Sequence, residues 1–240
     1  MDLQSTYFIY LIKTYITLRM AFPHFIDPAI FIPELAFTVI AVVFCFLIYL
    51  KTRESYELTK YEGIRYFRGA FLFFGLSYVT RFLFSLMHVS TIAFDFIPPR
   101  GIFVHLFMLP MAYFSTIGIF YLVFSSIWKK FSRKSLLIIG HSSAALLSIA
   151  SFITMSHLIL LYLQSALLLF GAFISFIIFK KGKKVSKIKI LYLLVSALWL
   201  INLWVIGRRR PYSLETEIFF QIISLIVFIV IYHRIAKWVQ

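Results

Sequence analysis

The chain has 240 residues, of which 62% are hydrophobic and only 14% charged, whereas about a quarter of a soluble domain's residues are charged. Its net charge of +15 does not point to nucleic acid, because the lysines and arginines sit in short segments between long apolar runs. An ordinary soluble enzyme or binding domain is excluded, and an all-α polytopic membrane protein is expected.

Residues 1–22 read as an amphipathic helix. Thr6, Tyr10, Lys13, Thr14 and Thr17 share one helical face, while Tyr7, Leu11, Tyr15, Leu18 and Phe22 share another. With Lys13 in the middle, the segment is expected to lie in the outer membrane interface rather than to span. It has no basic start and no small-residue cleavage site, so it is expected to stay in the mature protein. Pro23, Pro28 and Pro33 are expected to break the chain before or early in the first span.

A spanning helix needs about 20 mostly apolar residues, since the hydrocarbon core is about 30 Å thick. Seven stretches approach or meet that length: Pro28–Leu50, Tyr66–Ser90, Gly101–Trp128, Ser135–Met155, Leu158–Phe179, Ile188–Ile206 and Ile218–Tyr232. The last two are short, and Glu215–Glu217 and His233–Gln240 can lengthen the seventh. Residues 28–236 form the bundle of a single integral membrane domain covering 1–240. The first span carries Glu34 in its outer part and the single cysteine, Cys45, at its middle. One cysteine makes neither an intramolecular disulfide nor a cysteine-based metal site, and a packing role is expected. The second carries Arg81 in its outer half and His88 at its outer end. In the third, His105 lies one turn in, and Pro110 is expected to kink the helix and free a carbonyl one turn earlier, beside an outward-facing pocket.

Span four holds a stripe of small residues, Gly140, Ala144 and Ser148, and span five holds Gly171 and Ser175. Only Ser156 and His157 separate the two spans, so these stripes are expected to zip four against five. His141 is expected to hydrogen-bond across helices.

Orientation follows from the basic residues. Segments Lys51–Arg68, Lys129–Lys134 and Lys180–Lys189, with Arg234 and Lys237, hold 17 lysines and arginines, against six at Lys13, Arg19, Arg100 and Arg208–Arg210 on the other side. The positive-inside rule places the N-terminus outside the cell membrane and the C-terminus in the cytoplasm. Expected partners are membrane lipids, anionic ones at the cytoplasmic segments, and a second copy of the chain or another membrane protein. Nucleic acid is not an expected partner.

Charge inside a membrane helix costs from about 2.5 kcal/mol upward at the centre, so each such residue needs a partner or a purpose. Arg81 and Glu34 lie at similar depth on consecutive antiparallel spans and are expected to pair. His88, His105 and the hairpin His157, with Asp95, Glu215 and Glu217, gather on the outer face, but without the i, i+3 or i, i+4 spacing of a helical metal site. Arg208, Arg209 and Arg210 oppose the positive-inside trend. They are suited to a phosphate or carboxylate, or to pairing with Glu215 and Glu217 and contact with lipid phosphate. An anion held there is expected to bind more tightly as pH falls through the histidine range.

Several activities lack their residues. A retinal protein needs a lysine in mid-span seven, a membrane hydrolase needs paired intramembrane acids, and a bundle zinc hydrolase needs spaced histidines and aspartates. Enzymatic activity and a cofactor are therefore not expected. The favoured expectation is transport or channel activity. The ion or small solute would pass a polar cavity drawing on Glu34, Arg81, His88, His105, Arg208, Arg209 and Arg210. A sensory or ligand-binding module signalling to a partner and a non-catalytic scaffold subunit are the alternatives.

Overall fold

Lipid offers no hydrogen-bonding partner to a backbone, so long apolar segments satisfy their N–H and C=O groups within a helix. The computed structural model describes residues 28–93, 100–154, 157–180, 187–207 and 214–239. These form seven α-helices: α1 (Pro28–Thr59), α2 (Glu62–Ala93), α3 (Arg100–Ile127), α4 (Arg133–Thr154), α5 (His157–Lys180), α6 (Lys187–Gly207) and α7 (Leu214–Val239). A 3-10 turn, Trp128–Lys130, follows α3. The amphipathic helix expected at 1–22 lies outside the described residues. The chain divides into two units, Met1–Glu34 and Leu35–Gln240. In the first, the described residues are the opening turns of α1; all others belong to the second.

Six of the helices are long and apolar enough to cross a membrane, through Ile32–Thr59, Glu62–Met87, Leu106–Ile127, Arg133–Thr154, Leu158–Ser175 and Glu215–Lys237. The apolar stretch described in α6, Ile190–Leu203, is shorter than these. Large apolar side chains cover outward faces as well as the core: Val43, Ile138, Leu146, Phe170, Phe173 and Ile226 are all at least half exposed. A water-soluble monomer does not carry so much apolar surface. The architecture is that of a multi-pass helical membrane bundle.

Two helices run further than the apolar pattern predicts. α1 continues past Leu50 to Thr59 because the charged residues there pair along the helix: Lys51 Nζ to Glu54 Oε2 and Arg53 Nε to Glu57 Oε1, each at 2.7 Å. It stops at Lys60, whose φ of 52° is left-handed, and only Lys60 and Tyr61 separate it from α2. Each of these helices has 32 residues, or about 48 Å of length, against about 30 Å of hydrocarbon. The basic residues at this end rest on aromatic rings. The Arg68 guanidinium lies 5.0 Å from the Tyr49 ring centre and 5.6 Å from that of Tyr56, and Lys129 lies 5.6 Å from Trp128. Such contacts suit an interfacial belt.

Of the prolines expected to break the chain early, Pro33 does not, and Pro23 lies outside the described residues. Pro28 opens α1, where its missing N–H has no helical partner to lose, and the helix runs on through Pro33. α3 likewise runs through Pro110. Hydroxyls from neighbouring helices serve its carbonyls on either side: Ser148 Oγ donates to Leu109 O at 2.9 Å and Ser77 Oγ to Met111 O at 3.4 Å.

α3 is the hub, packing against α2, α4 and α5, while α6 packs against α5 and α7. This corrects the expected zipping of spans four and five, which touch each other only lightly. A Cβ on Gly140 would meet Phe124 and Ile117 of α3, and one on Gly171 would meet Val123 of α3 and Tyr192 of α6. Ser175 Oγ donates to Ser126 Oγ of α3 at 2.9 Å. Both stripes therefore face α3. A short connection fixes which helix ends are adjacent, but the small residues go where bulky side chains need room, and α3 supplies Phe124 beside Gly140 and Val123 beside Gly171.

α2 contributes an aromatic ladder, Phe67, Phe71, Phe74 and Tyr78, all buried. Phe74 stacks on Trp199 of α6 at 4.0 Å, and Tyr78 meets Phe37, Trp199 and Phe228 edge-on. Cys45, buried as expected, packs where Gly75 lets α1 approach α2.

Candidate functional site

Four helices frame a cavity of about 50 Å³. α2 supplies Ser77, Tyr78 and Arg81, α3 Met111 and Ser115, α5 Leu160, Leu161 and Gln164, and α6 Trp199 and Leu203. On each helix the lining residues are three or four apart, or adjacent to one that is, so each helix turns one face to the space. One water needs about 10–15 Å³ by the same measure, so the cavity has room for a few waters or one small solute.

Gln164 organises the α3–α5 wall. Its Nε2 donates to Ser115 Oγ and Thr116 Oγ1, both at 2.7 Å. Ser115 Oγ in turn donates to Ala112 O at 3.1 Å. Because the Ser115 proton is committed to that carbonyl, its oxygen must accept, which fixes the amide with NH₂ toward α3. Gln164 Oε1 is then buried with no partner among the described residues, as are Tyr78 Oη and Trp199 Nε1. Native structures rarely leave buried polar atoms unpaired, and three on residues around one cavity call for an explanation.

Arg81 is half-buried and lines this cavity. Glu34 is also half-buried and ends the first unit. His88 lies on α2 and His105 on α3, but their side chains, with that of His157, lie outside the described residues, as do Asp95, Arg208, Arg209 and Arg210 altogether. Glu215 and Glu217 occupy the first turn of α7, where the helix dipole favours acids. His141 makes the cross-helix bond expected of it: its Nδ1 lies 2.8 Å from Tyr113 Oη of α3.

Sequence reasoning missed Gln164, Tyr78 and Trp199. It weighed charges and histidines, whereas a neutral amide within an apolar span is also costly in lipid. The Ser115–Thr116 pair one helix away is a signal that complements it.

Among proteins of known sequence, the chain is similar to an uncharacterized protein of Archaeoglobus fulgidus, 28% identical over 209 residues that cover 85% of this chain and 91% of the relative. No family model matches, and no solved structure matches.

Proposed function

We propose that this is a seven-span protein of the cell membrane that moves an ion or small solute through the Arg81 cavity, as a transporter or channel without catalytic activity. One observation carries the reading: a cavity bounded by four helices, whose largely apolar lining includes an arginine and an amide. In this reading Arg81 supplies the charge that a solute meets in the pathway. His88, His105 and Arg208–Arg210 form the approach from outside, and anionic lipid binds the basic cytoplasmic segments. Flux through reconstituted vesicles tests it. Wild-type protein is expected to pass a small solute, and Gln164→Leu, which fills the cavity wall with hydrocarbon, to pass it at least tenfold more slowly. Equal flux through both would remove the cavity from the pathway.

The N-terminus lies outside and the C-terminus in the cytoplasm in this reading. In a Cys45→Ser background, Ser132→Cys and Lys183→Cys are expected to resist an impermeant thiol reagent applied to intact cells, and Tyr212→Cys to react. Labelling of Ser132→Cys from outside would reverse the topology.

A further inference from the structure

We infer that a second, smaller cavity at the α1–α2 turn is the other half of the pathway through the Arg81 cavity, and that the Phe74 ring is the gate between them; the inference rests on the transport reading above. The second cavity, of about 20 Å³, is bounded by Thr52 and Ser55 of α1, Tyr61 of the turn, Phe67 of α2, Ser125 of α3 and Leu191 of α6. That is room for one water. Ser55 Oγ is buried there without a partner among the described residues, and a water in the cavity would satisfy it.

Three helices, α2, α3 and α6, line both cavities, and they do so in register. Phe67 and Ser77 on α2 are ten residues apart, as are Ser125 and Ser115 on α3, which is about 15 Å of helix. Leu191 and Trp199 on α6 are eight apart, or about 12 Å. The numbering falls along α3 as it rises along α2 and α6, so the two cavities are stacked along the bundle. Each helix turns one face to both. On α2 that face is Phe67, Phe71, Phe74 and Tyr78, and on α3 it is Ser125, Leu122, Gly118 and Ser115, in steps of three or four residues.

Between the cavities these faces are apolar. Phe71, Phe74 and Leu122, with Val195 of α6, are each at most 2% exposed. Phe74 closes the gap. Its ring lies over Gly118 of α3, where a Cβ would come within 2.5 Å of it, and stacks on Trp199 of α6 at 4.0 Å. One ring thus reaches from α2 to both other helices, and a dry apolar constriction of this kind bars water and solutes until it moves. The structure is the closed state, and opening shifts Phe74 and Trp199 together.

The test uses the full chain in vesicles of one orientation, in the Cys45→Ser background, with silver ion as a thiol probe close to water in size. Ser55→Cys is expected to react only from the side of the α1–α2 turn, and Ser77→Cys only from the opposite side. Adding Phe74→Ala should open the gate, so that each thiol reacts at least tenfold faster from its far side. Emptying the site of a buried ring destabilises a protein, so Phe74→Leu is the second variant. It loses the stack on Trp199 and should also speed the far-side reaction, by a smaller factor. Far-side rates unchanged in both variants, a Ser55→Cys thiol unreactive from its own side, or thiols reached from both sides with Phe74 in place would overturn the gate. Vesicle flux of urea, potassium and formate separates this from the transport reading. If neither wild type nor Phe74→Ala passes any of the three while silver reports the expected sidedness, transport is refuted and the gate stands. Flux with sidedness unchanged by the Phe74 variants refutes the gate and leaves transport standing.

Discussion

Replacing Arg81 by leucine is expected to cost about 3–5 kcal/mol of stability, the penalty of stranding a buried partner charge, and to stop flux. A guanidinium within a membrane helix carries a standing cost of about 2.5 kcal/mol or more. Such a residue needs a partner or a purpose to offset that cost. Thermal denaturation of the variant and the wild type in one detergent checks it, and an Arg81→Leu protein that melts with the wild type would mean that no buried charge depends on Arg81.

Gly118→Ala is expected to lower stability by about 1–3 kcal/mol, although alanine is worth about 1 kcal/mol more than glycine within a helix. The sign is decided by what the added methyl meets. A Cβ at position 118 would lie 2.5 and 2.6 Å from two ring carbons of Phe74. That ring cannot retreat, because it is 2% exposed and stacked 4.0 Å from Trp199. Displacing it moves a wall of the Arg81 cavity, so Gly118→Ala should also weaken solute binding from outside the cavity. Gly69→Ala makes a useful contrast, since its Cβ would press on half-buried Tyr121, which has more room to turn. A melting temperature for Gly118→Ala at or above wild type would mean that Phe74 is free to move.

Much of the bundle was legible in the sequence because hydrophobic length is a strong signal in lipid. A described helix overlaps each of the seven apolar stretches, and six of these helices are long and apolar enough to cross a membrane; Arg81 stood out because charge is costly there. Helix ends were less legible. Hydropathy stops at Leu50, but Lys51–Glu54 and Arg53–Glu57 pairs carry α1 another turn and more, an effect of spacing rather than apolarity. Partner choice was illegible for a different reason. Gly140 and Gly171 announce close approach without saying to what, and chain proximity pointed to each other when Phe124 and Val123 of α3 were the better fit. The polar cavity was half visible. Its arginine declared itself, but Gln164 does so only beside Ser115 and Thr116, and that adjacency exists only once α3 and α5 are packed.

Water access to the Arg81 cavity is the most direct measurement. In the Cys45→Ser background, Ser77→Cys and Ser115→Cys place a thiol on two cavity walls. Reaction of both with a small charged thiol reagent is the result expected of a solute pathway. Thiols that stay unreactive from both sides of the membrane, in a protein that folds and reconstitutes normally, would contradict it and leave the cavity a closed packing defect.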